Sequence, residues 1–139
     1  MWEIEQASSP HRWQTLLDRY QIETALLRYR QPVSVTTPDG VDLGFRGHSA
    51  LWFPEKRWAL LYWDDISMVL VDRTRGPSDL IDSLEYRHFR PDDGAHLLAR
   101  ADVEPSVRAS LAAAVDRKLL EDPECRQARW LLAQLSAGN

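Results

Sequence analysis

Cysteine, lysine and long apolar runs are what this 139-residue chain has least of, and each scarcity removes a class of protein. The single cysteine, Cys125, has no internal disulfide partner, so stability must come from packing and thiol redox chemistry is not expected. No apolar run approaches the ~20 residues that span a bilayer, and the Met-Trp-Glu-Ile-Glu start lacks the basic and apolar stretches of a secretory signal. These features predict a cytoplasmic protein without membrane partners. Basic charge is also scarce: 17 Lys and Arg stand against 21 Asp and Glu, a net −4, with no basic tail or arm. A nucleic-acid binder needs a concentrated cationic footprint to release phosphate counterions, so nucleic acid is not an expected partner. Only Lys56 and Lys118 are lysines, an arginine bias that points to a GC-rich bacterial or phage genome.

What is present is the composition of one folded domain: 44% hydrophobic and 27% charged residues in a chain of single-domain length. Trp2 and Ile4 alternate with Glu3 and Glu5 as in a short strand. Ser8-Ser9-Pro10 then supplies a helix start. Trp13, Leu16, Leu17, Tyr20, Thr24 and Leu27 recur at helical spacing, which predicts a helix over 10–30 ended by Pro32. From Val33 to Asp72 the period becomes two. Val33, Val35 and Thr37, the turn Thr37-Pro38-Asp39-Gly40, and Val41, Leu43 and Phe45 read as a hairpin with one apolar face. A second hairpin is expected from Ser49–Phe53 and Arg57–Trp63, followed by a strand over 66–72. Helical stretches follow after Gly76-Pro77-Ser78, over 95–101, from Pro105, and after Asp122-Pro123-Glu124, the last two as an antiparallel pair. The expected architecture is a single α+β domain over 1–139. Its antiparallel sheet of four or five strands (33–72) is packed by an N-terminal helix (10–30) and a C-terminal helical group (77–136).

The segment richest in potential metal ligands is His88-Phe89-Arg90-Pro91-Asp92-Asp93-Gly94-Ala95-His96. His88, Asp92, Asp93 and His96 are therefore metal candidates, but Pro-Asp-Asp-Gly is also what an ordinary solvated turn prefers. Asp64-Asp65 ends a Trp-containing strand, where paired carboxylates can act as acid and base. Adjacent strand residues point to opposite faces, which favours a turn or an interaction role instead. Cys125 lies in the first turn of the last predicted helix, beside Glu124 and far in sequence from any histidine, and reads as a packed thiol. His48-Ser49 does not make a triad, and Gly40, Gly44 and Gly47 precede no phosphate-binding helix. Nothing in these motifs calls for a cofactor.

Aromatic density is more distinctive. Phe45, Trp52, Phe53, Trp58, Tyr62 and Trp63 fall within nineteen residues. Alternation puts Trp58, Leu60 and Tyr62 on one face and Ala59, Leu61 and Trp63 on the other, so the strands are either covered twice or take a partner on one face. Trp, Tyr and Arg dominate protein interfaces. Trp52, Arg57, Trp58, Tyr62, Trp63 and Asp64 are accordingly the expected partner contacts of a non-enzymatic protein-binding module such as an inhibitor, immunity protein, adaptor or chaperone. A homodimer through the same strands is a second expectation.

The helix, Arg28-Tyr29-Arg30, Pro32-Val33-Ser34-Val35 and the following meander resemble the opening of bacterial PilZ and flagellar-brake-like barrels over residues 16–72. The resemblance implies a barrel that binds a cyclic dinucleotide. The chain has Arg-x-Arg where that family spaces its arginines by three, and it lacks the later Asp/Asn-x-Ser-x-x-Gly segment. The alternative expectation is thus a small-molecule or metal-binding regulator or enzyme.

Overall fold

The computed structural model describes residues 10–137. The strand expected at Trp2–Glu5 and the Ser8-Ser9 cap lie outside the described residues. Helix α1, Pro10–Arg19, buries Leu17 and half-buries Trp13 and Leu16. It is shorter than its apolar stripe predicts because Gln21 takes a left-handed conformation (φ 54°) and Ile22 N–H bonds the Leu17 carbonyl at 2.9 Å. That six-to-one closure is a Schellman stop. Asparagine or glycine would have signalled it; glutamine does not. The chain then runs straight into strand β1, Thr24–Arg28, where Ala25 and Leu27 point inward and Leu26 points out.

Strands β2 (Val33–Thr36) and β3 (Asp42–Arg46) form the expected hairpin, but as a separate two-stranded sheet. Its turn is closed by Gly40 N–H to the Thr37 carbonyl, 2.9 Å, with Gly40 at φ 85°. The space around a Gly40 side chain is open, so a Gly40→Val variant meets only the backbone penalty of left-handed φ. The expected loss is ~1–2 kcal/mol, read as a lower melting temperature, and an unchanged melting curve would refute this turn's role. The expected single apolar face is not formed. Ser34 pairs with Phe45 and Thr36 with Asp42, so Leu43 and Gly44 (φ 86°) together oppose Val35. One extra residue reverses the alternation of β3 relative to β2. Phe45 consequently shares a face with Ser34 and stays 67% exposed.

The segment expected to open the second hairpin is instead helix α2, His48–Trp52. Strands β4 (Trp58–Trp63) and β5 (Ser67–Asp72) form as expected, and β1 completes an antiparallel sheet of order β1-β5-β4. The protein is therefore α+β, with a three-stranded and a two-stranded sheet rather than one of four or five strands or a closed barrel. Helices α3 (Ser78–Leu84), α4 (Gly94–Ala101), α5 (Pro105–Glu121) and α6 (Arg126–Ala137) follow, with a 3-10 turn at Pro91–Asp93 before α4.

A bulge also decides the faces of β4. Leu60 pairs with Leu70 and Tyr62 with Val69, leaving Leu61 as the additional residue. Trp63 therefore joins Trp58 and Leu60 on one face instead of opposing them. That face, with Met68 and Leu70 of β5, packs with Leu17, Phe53, Phe89, Leu111, Val115 and Leu131 as the main core. On the opposite face Ala59 and Val71 are covered by Ile81 of α3.

Candidate functional site

The motifs singled out in the sequence mostly hold the fold together. Arg90-Pro91-Asp92-Asp93 is not a solvated turn: Arg90, Pro91 and Asp93 are buried. Asp92 accepts Ser49 N–H at 2.7 Å and Ser49 Oγ–H at 2.6 Å, and Asp93 accepts Gly47 N–H at 2.7 Å and the Arg46 guanidinium at 2.9 Å. Two carboxylates thus serve the N-terminal end of α2. Arg90 serves the other end, donating to the carbonyls of Ser49 (3.2 Å), Phe53 (2.6 Å) and Trp58 (2.7 Å). Burial lowers its pKa to about 10, so it stays charged at neutral pH. A side chain on Gly47 would come within 2.6 Å of the Asp92 backbone oxygen, which explains the glycine by close approach.

The metal candidates do not converge as a ligand set. His88 is exposed at φ 56°, with Nδ1 3.4 Å from Glu55, while Asp92 is turned to Ser49. No group of three or more His, Cys, Asp or Glu is placed to hold an ion among the described residues. His88, Asp93 and His96 do line one cavity of about 460 Å³, together with Arg46, Arg100 and Ser106. Burial, followed by the nearby Arg46 charge, lowers the His96 pKa. Arg46 is paired with Asp93 and Arg100 with Glu104, so these charges already have protein partners.

Asp64 and Asp65 diverge. Asp64 accepts Ile66 and Ser67 N–H at 2.8 Å, closing the β4–β5 turn. Asp65 accepts Arg126 and Gln127 N–H at 3.0 and 2.7 Å, capping α6 from far away in sequence. For both, burial pushes the pKa up, and the backbone donors outweigh it and hold the carboxyl below its usual range. Cys125 is buried, and burial raises its pKa.

Of the expected partner contacts, Trp58 and Trp63 are fully buried, at 0% exposure. The β4 bulge brings Trp63 onto the core-facing side that Trp58 already occupies. Arg57 is committed to Asp72 and Asp18, both at 2.8 Å. Burial raises the Asp72 pKa, but the bonds from Arg57 and Thr74 more than offset it and bring the value to about 2. Trp52 is half-buried, edge-on to Trp13 with ring centroids 5.8 Å apart. Of the β4 aromatics only Tyr62 is exposed, at 44%. Its hydroxyl donates to Asp64 at 2.8 Å, and Lys118 Nζ lies 4.4 Å from its ring centroid.

Register reveals what periodicity missed. Leu26 pairs with Val69 and Val69 with Tyr62, a single register row across all three strands; Leu26 and Val69 lie on the face turned from the main core, and Tyr62 ends the row at the β4 edge, its ring against Lys118 of α5. Ile81 covers the neighbouring Val71–Ala59 pair but not this row, where Leu26 is 72% exposed. On the other side lie Arg28, Ser67 and Asp64, a polar border. The fold and site thus define an α+β protein with a half-covered antiparallel sheet. In comparisons with known proteins, no family model, curated protein or solved structure matches the chain. Among the described residues no helix is long and apolar enough to cross a membrane.

Proposed function

We propose that this chain is a non-enzymatic protein-binding module of inhibitor, immunity-protein or adaptor type, acting through the open face of its three-stranded sheet. The observation that carries the reading is the Leu26–Val69–Tyr62 row, apolar and partly exposed between a helix-covered row and a polar one. An apolar centre with a polar rim is the anatomy of a protein interface. Tyr62 is held by Asp64 and Lys118, so a partner that packs on it loses little side-chain freedom. The partner is a protein presenting an apolar ridge that fits this shallow row. The carboxylates and guanidiniums that a catalytic reading would use support the reading in another way, being occupied in capping α2 and α6.

A photocrosslinking residue at position 62 tests it. One partner protein is expected to crosslink saturably, with the yield falling about tenfold or more in Val69→Asp at an unchanged circular dichroism spectrum, as for a truncated hot spot. The same change at Leu120, 87% exposed on α5, is expected to leave the yield unaltered. Equal labelling from positions 62 and 120 would refute the reading.

A further inference from the structure

The two edges of the main sheet are treated differently. Beyond β4, Tyr86 N–H bonds the Leu60 carbonyl at 2.8 Å, and Arg117 holds the carbonyls of Leu84 and Glu85 beside it. Beyond β1, among the described residues, no backbone group is hydrogen-bonded. Which groups face that edge follows from the pairing with β5. The Glu23 carbonyl accepts Asp72 N–H at 2.8 Å and Tyr29 N–H donates to the Ile66 carbonyl at 3.1 Å, so odd-numbered residues bond inward. Antiparallel alternation then turns the N–H and C=O of Thr24, Leu26 and Arg28 outward.

Natural edges are blunted by proline, charged side chains, bulges or a covering element. Among the described residues, Thr24-Ala25-Leu26-Leu27-Arg28 carries of these only the charge of Arg28 at its end, and its pairing with β5 runs without a register shift. We infer that β1 pairs antiparallel with β1 of a second copy of this chain, joining the two three-stranded sheets into one continuous sheet about a two-fold axis at Leu26. Three observations select a second copy. Pairing Thr24–Arg28 with itself over its whole length brings outward-facing residues opposite outward-facing residues, as the hydrogen bonds require. It sets Arg28 opposite Thr24, Glu23 opposite Tyr29 and Ile22 opposite Arg30, so no like charges face each other. It also buries the 72% exposed Leu26 against its own copy and unites the two Leu26–Val69–Tyr62 rows into one strip. The inference rests on the reading of this sheet as a protein-binding surface and names one partner for its edge.

A residue on a two-fold axis meets itself, and this supplies the test. Sedimentation of the unmodified chain is expected to give twice its 16.0 kDa mass at micromolar concentration. Leu26→Lys and Leu26→Glu, each with an unchanged circular dichroism spectrum, should sediment as monomers, and an equal mixture should recover dimer. In the unmodified chain, the amides of Thr24, Leu26 and Arg28 should exchange more slowly as concentration rises, whereas those of β2 should not. A concentration-independent monomer, or a dimer that neither charge at position 26 weakens, overturns the self-pairing. Crosslinking at position 62 separates the two readings: its persistence in a monomer sinks only the dimer, and its absence in a dimer sinks only the partner-binding face.

Discussion

Truncation of Trp63 to alanine is expected to remove ~3–5 kcal/mol of folding free energy, the range for a buried tryptophan. Trp63 is wholly enclosed, with its ring centroid 4.9 Å from that of Phe89 and 6.1 Å from that of Tyr86. The hole would sit where β4, the 86–89 segment and α5 meet, and Lys118, 5.5 Å from the Trp63 ring, would lose an aromatic face. Trp63→Phe separates volume from hydrogen bonding. The indole N–H of Trp63 has no partner, so phenylalanine forfeits no bond and should cost only ~1–2 kcal/mol for the smaller ring. Urea unfolding monitored by circular dichroism gives both values. Equal losses for the two variants would show that the role assigned to packing is wrong.

Arg90→Leu is the second large effect. It would orphan the carbonyls of Phe53 and Trp58 and leave that of Ser49 with only the Phe53 N–H, and an unsatisfied buried polar group costs about 1–3 kcal/mol. Relief from burying a guanidinium offsets part of this, leaving an expected loss of ~2–4 kcal/mol. The damage should begin locally. A five-residue helix such as α2 is far below the length that sustains itself, so its amides should lose exchange protection before the sheet does. Arg90→Lys should fall between, because one ammonium cannot reproduce the planar fork that reaches all three carbonyls. Uniform loss of protection across the protein would contradict the clamp.

Local pattern by itself determined the C-terminal helices, the Gly40 turn and strands β4 and β5. Each is specified within a few residues: by Pro105 at a helix start, by Pro-Asp-Gly chemistry, or by an unbroken apolar run. The α+β class follows from these alone. It also made Cys125 a packed thiol, since nothing near it in sequence could activate it. What local pattern got wrong shares one physical cause: the deciding interaction comes from a distant part of the chain or shifts a phase by one residue. Ser49–Phe53 has strand-compatible side chains but is a helix because Asp92, Asp93 and Arg90 supply both sets of caps. Thr24–Leu27 fits a helical stripe and a strand alike, and pairing with β5 chose the strand. Single bulged residues in β3 and β4 exchanged the faces of Phe45 and Trp63, removing a tryptophan from the expected binding surface and leaving Tyr62 there. Leu26 became a site residue only when the register set it beside Val69 and Tyr62. A period of two tells which residues share a face within one strand, but the count of residues between paired strands decides which face is buried, and that count is a property of tertiary pairing.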